Sequence, residues 1–223
     1  MVAKKTVDKA VKLVEKAGFL LVFPIENREE PPSLWHALYP GEKMVWEWDD
    51  DGDGRVHDLW HLRAALATSL EVVYVKWFRG RATLLSKDLF RAMLSRLEEK
   101  AGGNLQRGIS HEAKAILELL EETSPQSTKS IRAQMELGGK PGERVFTKAL
   151  QELWERFLIV GAGEVDDGAF PSLAIGATHT LFEDLRVMRN ERNPKGTVRL
   201  GELLDRDPNF KRAFAKSEKH FAR

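Results

Sequence analysis

Residues 110–180 read SHEAKAILELLEETSPQSTKSIRAQMELGGKPGERVFTKALQELWERFLIVGAGEVDDGAFPSLAIGATHT, and this stretch has the clearest secondary-structure pattern of the chain. Apolar residues recur in it at helical spacing in three successive segments, which are separated by breaks at residues 123–125 and 138–139. Ser110 and Ser127 stand where the first and second helices should begin, and serine is a preferred residue at that position. The pattern predicts three helices joined by short connections.

A β-hairpin pattern follows the third helix, which we expect from about Gly142 to Phe157. The apolar run 158–160 predicts one strand, residues 166–168 predict a turn, and residues 173–175 predict the return strand. Three helices closed by a hairpin is the order of a winged helix-turn-helix. The sequence therefore predicts an α+β, mainly helical protein that contains a winged helix-turn-helix module with a short β-hairpin wing.

A winged helix-turn-helix places its third helix in the major groove of DNA, while the second helix and the wing rest on phosphates. Arg144 and Lys148 lie one helical turn apart on the predicted outer face of the third helix. Glu152 and Arg156 are expected on the same outer face, and Val145 is expected to face inward. The residues predicted to contact double-stranded DNA are Lys129, Arg132, Lys140, Arg144, Thr147, Lys148 and Gln151.

Acidic residues in the same stretch oppose contact with DNA. The third helix contains three glutamates, and the wing contains Glu164, Asp166 and Asp167, which would repel a phosphate backbone. They favour the alternative that the basic side chains are ordinary solvent-facing charges. Because winged helices also serve as protein-interaction modules, the fold alone does not decide between the two functions.

The chain is expected to divide near residues 101–104, a Gly-rich connection between two periodic segments. We predict a mixed α/β region at residues 1–104 that could itself be winged-helix-like, a winged-helix domain at 105–185 and a basic C-terminal segment at 186–223. The last segment has 11 Lys or Arg against 5 Asp or Glu, whereas the whole chain has a net charge of +1. It could form a positive face for an acidic polymer or a solvated tail.

The composition excludes several classes of chemistry. The chain has no cysteine, which rules out disulfides, thiolate zinc sites and cysteine nucleophiles. No run of residues approaches the roughly 18 apolar residues that a membrane helix requires. We expect a cytoplasmic protein with no membrane partner and no cofactor.

Two motifs imitate metal sites without completing them. Residues 49–54 resemble the start of a calcium loop, but Trp60 occupies the twelfth position, where a bidentate glutamate is required. His57 and His61 have the i, i+4 spacing of zinc ligands, but no third ligand follows at a recognisable spacing. The sequence therefore predicts no metal site.

Six segments have residue patterns similar to those of one known family: 32–35 (PSLW), 46–48 (WEW), 73–76 (VYVK), 79–86 (RGRATLLS), 124–132 (SPQSTKSIR) and 146–153 (FTKALQEL). They resemble small proteins related to AlkZ/YcaQ, the winged-helix DNA glycosylases that unhook interstrand crosslinks. The resemblance spans roughly residues 6–185. It implies a basic concave surface that cradles duplex DNA.

The resemblance does not extend to the catalytic motif. The glycosylases carry a Gln-apolar-Gln or Gln-apolar-Asp triplet that positions the attacking water, and no glutamine of this chain has such a partner two residues on. If a carboxylate acts instead, Glu26 and Glu47 are the candidates. Three hypotheses remain: a duplex-DNA-binding protein without the triplet, a glycosylase of alkylated bases with a non-standard carboxylate, and a protein-interaction module.

Overall fold

The computed structural model describes residues 2–46, 54–169, 171–187 and 192–222. Within these ranges the protein is α+β and mainly helical, with one six-stranded antiparallel sheet. None of the described helices combines the length and the apolar character that a membrane crossing requires. Glu47 and most of the calcium-loop pattern lie outside the described residues.

The first half of the chain alternates helices with short strands. Its elements are α1 (Lys4–Ala17), β1 (Phe19–Leu21), α2 (Leu34–Leu38), α3 (Gly54–Ser69), β2 (Val73–Val75), β3 (Thr83–Leu85) and α4 (Lys87–Ala101). A 3-10 turn, Phe78–Gly80, connects β2 to β3. All three strands are buried along their whole length.

The middle of the chain has the predicted order of three helices and a hairpin. Its elements are α5 (His111–Glu122), β4 (Gln126–Ser127), α6 (Thr128–Gln134), α7 (Gly139–Glu155), β5 (Ile159–Val165) and β6 (Ser172–Ala177). The predicted serine caps are confirmed, because the Ser110 hydroxyl accepts from the backbone N–H of Ala113 and the Ser127 hydroxyl from that of Ser130. The third helix begins earlier than predicted.

The C-terminal segment folds onto the rest of the protein. Its elements, with the two short helices that precede it, are α8 (Thr178–Leu181), α9 (Glu183–Val187), α10 (Pro194–Arg206) and α11 (Pro208–Lys219). Asp207 caps α11 by accepting from the backbone N–H groups of Asn209 and Phe210. Phe210 and Phe214 are fully buried. The alternative of a solvated tail is therefore wrong for the described part of this segment.

A single sheet runs from the first half of the chain into the second, in the order β1-β3-β2-β5-β6-β4. The two halves join where Tyr74 of β2 pairs with Gly161 of β5. A Cβ atom at Gly161 would lie 2.2 Å from the Tyr74 ring, so only glycine lets β5 approach this closely. The hairpin is thus fixed to the first half by its backbone.

Two hydrophobic clusters form the core of the described residues. The larger one contains Phe19, Phe157 and Phe210, one residue from each of the three predicted regions. The smaller one lies among α1, α2 and α3. The division of the chain at residues 104 and 185 stays a prediction, but the packing that positions the C-terminal helices involves all three regions.

Candidate nucleic-acid interface

The outer side of α7 carries most of the residues predicted to contact DNA. Lys140, Arg144, Thr147, Lys148 and Gln151 are all exposed. Residues three and four positions apart in a helix lie on the same side, so these five side chains form one polar surface, here named the α7 face. The structure therefore brings together five of the seven predicted contact residues.

The opposite side of α7 packs into the core through Phe146, Ala149 and Leu153. Val145 was predicted to face inward, and this is wrong: it is 39% exposed, because the buried row passes through Phe146 instead. The shift leaves an apolar side chain beside the cations of the α7 face.

Two residues predicted on the outer side of α7 are turned inward. Arg156 is 3% exposed, and its Nη1 donates to the backbone carbonyls of Leu105 and Arg107, both at 3.0 Å. Glu152 accepts from the backbone N–H and the hydroxyl of Ser110 at 3.1 and 2.8 Å. The connection before α5 wraps the end of α7 and takes up both side chains, which removes them from any binding surface.

The remaining two predicted contact residues lie on α6 and differ in their surroundings. Lys129 is exposed, but its ammonium donates to the backbone carbonyl of Asp167 in the hairpin. Arg132 is exposed and forms no ion pair with any residue that the structure describes. Lys129 therefore connects α6 to the hairpin, whereas Arg132 has no ion-pair partner among the described residues.

Two of the three hairpin acids have partners within the protein. The Glu164 carboxylate accepts from Arg63, and both side chains are almost fully buried. Oδ2 of Asp167 accepts from the Ser127 hydroxyl at 2.5 Å, and this bond is the main reason that the pKa of Asp167 lies below its usual value. Asp166, the third acid of the hairpin, is exposed. The Arg63 ion pair therefore offsets the charge of Glu164, whereas Asp167 keeps its negative charge because the Ser127 hydroxyl is neutral.

The C-terminal helix α11 reaches the last turn of α7 at Glu155. Oε1 of Glu155 accepts from Nε2 of Gln151 at 2.8 Å and lies 3.5 Å from the Lys216 ammonium. Oε2 lies 2.9 Å from Nε2 of His220, and this hydrogen bond is the main cause that lowers the pKa of Glu155 to about 2. The basic C-terminal segment therefore adjoins the α7 face, although no sequence pattern had paired them.

Glu26, the catalytic candidate that the structure describes, has no enclosed site. The Glu26 side chain is 67% exposed, and its carboxylate pairs with Arg28 at 2.6 Å. Enclosure is what normally prepares a carboxyl group for proton transfer, and this loop gives Glu26 none. Its catalytic role stays a prediction.

The two helix histidines face each other on the surface of α3. Nε2 of His57 and Nε2 of His61 lie 3.0 Å apart. In the described ranges no group of three or more His, Asp or Glu side chains is arranged to hold a metal ion. The prediction that the protein has no metal site stays a prediction.

Fold and surface together define the class: an α+β protein in which α7, beside a β-hairpin, exposes the cations Lys140, Arg144 and Lys148 together with one acid, Glu143. A family model described as "AlkZ related" matches residues 4–194, and the chain belongs to the AlkZ-related family. This confirms the resemblance seen in the sequence. No curated protein and no solved structure gives a significant match. Helix α11 and nearly all of α10 lie beyond the matched residues.

Proposed function

We propose that this protein binds double-stranded DNA through a winged helix-turn-helix unit made of α5, α6, α7 and the β5–β6 hairpin. The order of the elements supports this assignment, as does the short strand β4, which pairs with β6 and so attaches the helices to the hairpin. Membership of a family related to DNA-repair glycosylases supports a DNA partner. In this proposal the protein acts without the Gln-apolar-Gln triplet of those enzymes.

The observation that carries the proposal is the α7 face. Arg144 and Lys148 are exposed, lie one turn apart and form no ion pair with the residues described. An α-helix with its side chains is about 10–12 Å across and the major groove is about 12 Å wide, so α7 can enter it. Lys140 and Arg144 lie toward the N-terminal end of α7, where the helix dipole also favours phosphate.

The proposal predicts a steep dependence of duplex binding on salt. Each phosphate that the protein neutralises contributes about −0.9 to the slope of log affinity against log salt concentration. We expect Arg144→Ala/Lys148→Ala to weaken binding at least about tenfold, a loss of about 1.4 kcal/mol. Fluorescence anisotropy of a labelled duplex, measured from low to physiological salt, gives both quantities.

The matched control is Arg206→Ala/Lys211→Ala, which also removes one arginine and one lysine. Both residues are exposed and neither forms an ion pair with a described residue. The control should bind as the wild type does. Absence of duplex binding at low salt, or an affinity that does not change with salt, would contradict the proposal.

The glycosylase alternative receives no support from the surroundings of Glu26. That carboxylate is exposed and already paired with Arg28. The decisive measurement is base release from an alkylated duplex by excess wild-type protein in a single turnover. Product formation that Glu26→Gln or Glu47→Gln abolishes would replace our proposal with the enzymatic one.

A further inference from the structure

A second basic surface lies between the 3-10 turn after β2 and helix α11. It is a cleft of about 450 Å³. Four cations line it, Arg79 from the turn and Arg212, Lys216 and Lys219 from α11, against a single acid, Glu155 of α7. We name it the α11 cleft.

The charge of the α11 cleft is not balanced from within. Glu155 is already engaged by His220 at 2.9 Å and by Lys216 at 3.5 Å. Arg212 and Lys219 are exposed and form no ion pair in the described part of the chain. Like charges held close together repel one another, and an anion bound among them removes that repulsion.

The elements that carry these cations are held firmly in place. The indole N–H of Trp77, directly before the turn, donates to the hydroxyl of Ser217 on α11 at 2.9 Å, and both groups are buried. Phe210 and Phe214 anchor the same helix in the core. The guanidinium of Arg79 donates to Oδ1 of Asn209 at 3.2 Å. A binding surface that is fixed beforehand loses less entropy when its ligand arrives.

The α11 cleft is continuous with the α7 face. Arg144, Lys148, Gln151 and Glu155 succeed one another along one side of α7, and Glu155 is itself part of the cleft wall. At about 1.5 Å per residue, Arg144 and Glu155 are about 16 Å apart along the helix, the axial length of roughly five phosphates of one strand. A strand that borders α7 can therefore extend to the cleft.

We infer that the α11 cleft is a second DNA-contacting site, which binds backbone phosphate of the same duplex that α7 engages. This inference rests on the proposed function. The cations of α11 lie beyond the residues shared with the family model, so the contact is an addition to the surface that the family match covers. Arginine and lysine are the side chains that phosphate contacts use most, and they act here without reading sequence.

The test compares Arg212→Ala/Lys219→Ala with the control Arg206→Ala/Lys211→Ala, both in the whole 223-residue chain. We expect the cleft variant to lower the magnitude of the salt slope by about 1 to 2, because each lost phosphate contact removes about 0.9. The control should keep the wild-type slope. Thermal melting by circular dichroism verifies that both variants are folded.

A single substitution on the other wall of the cleft provides an independent measurement. Arg79 has a φ of 53°, a conformation that glycine adopts without strain, so Arg79→Gly removes the cation and preserves the turn. It should lower the magnitude of the slope by about 1.

The outcomes separate the two proposals. If the wild type binds duplex and the cleft variants keep its slope, the inference is overturned and the proposed function stands. Equal losses in the cleft variant and in the control would show a diffuse charge effect and would also overturn it. A wild type that does not bind duplex overturns both.

Discussion

The ion pair between Arg63 and Glu164 links the hairpin to the first half of the protein, in addition to the backbone pairing of Tyr74 with Gly161. Arg63 is 6% exposed, its Nη1 lies 3.4 Å from the Tyr74 hydroxyl, and its guanidinium carbon lies 4.3 Å from the centre of the Trp60 ring. A buried charge that loses its partner keeps its desolvation cost without compensation. Removing one partner of this ion pair is therefore expected to cost more stability than the intact pair contributes.

Glu164→Gln should destabilise the protein by about 3 kcal/mol, because it leaves the Arg63 cation buried and unpaired. The free energy of unfolding in urea is the measurement. Asp166→Asn is the matched control in the same hairpin, since Asp166 is exposed, and it should change stability by less than about 0.5 kcal/mol. A Glu164→Gln protein as stable as this control would show that the pair is not needed to hold the hairpin.

Glu155 makes stability depend on pH in the acid range. Its pKa is lowered from 4.5 to about 2, mainly by the hydrogen bond with His220. A carboxyl group whose folded pKa is depressed stabilises the protein above its unfolded pKa, and this contribution is lost as pH falls through the folded value. The stabilisation is therefore complete above about pH 4.5, declines below it and is absent below about pH 2.

We expect the stability difference between wild type and Glu155→Gln to be present above about pH 4.5 and to shrink between pH 4.5 and 2. Urea denaturation at a series of pH values measures it. Glu118→Gln, at a largely exposed glutamate of α5, should give a small difference that varies little with pH. A Glu155 difference that persists undiminished at pH 2 would contradict the assigned pKa.

Within single helices and strands, sequence patterns predicted the contacts between residues that are close together in the chain. The serine caps of α5 and α6 were predictable because a hydroxyl and the N–H it binds are three residues apart. Arg156 was misplaced because its partners, the carbonyls of Leu105 and Arg107, are 51 and 49 residues away in sequence. The site shows the same limit: periodicity found the α7 face, but it could not reveal that α11 borders it.

Helix α11 did leave a signal in the sequence. Asp207 followed by Pro208 is a cap with proline at the first helical position, and Phe210, Phe214 and Phe221 recur at helical spacing. These features predict a helix with one buried side, which the structure contains. The same segment also has a high density of positive charge, which is equally typical of a solvated tail.

The close pairing of β2 with β5 makes stability depend on the absence of a side chain at Gly161. Gly161→Ala should destabilise the protein by about 1–3 kcal/mol, because the added methyl group would lie 2.2 Å from the Tyr74 ring and force the strands apart. Gly201→Ala is the matched control: this α10 glycine has open space around it, and alanine favours helix by roughly 0.5–1 kcal/mol. Thermal melting should separate the two variants in opposite directions, and a neutral Gly161→Ala would contradict the close approach.

On the scale of the whole molecule, the sheet and the larger core connect segments that the sequence predicted as separate regions. Phe19 packs against Phe210 with ring centres 5.3 Å apart, and Trp77 packs against Phe157 at 5.5 Å. These contacts join the first, middle and last segments of the chain. Each of the three segments should accordingly depend on the other two for part of its stability.

We therefore expect one cooperative unfolding transition. Tryptophan fluorescence mainly reports the first half, where five of the six tryptophans lie, and far-ultraviolet circular dichroism reports helices throughout the chain. The two signals should give the same midpoint in urea. Separate midpoints would favour independently stable regions divided near residue 104.

The hydrogen bond from Trp77 to Ser217 also gives the α11 cleft an intrinsic optical reporter. The Trp77 side chain lines that cleft and its indole is fixed to the helix that supplies most of the cations. Indole emission responds to nearby charge and to the loss of a hydrogen bond. With the other tryptophans replaced by phenylalanine, the emission of the Trp77 indole would report binding in the cleft without any attached dye.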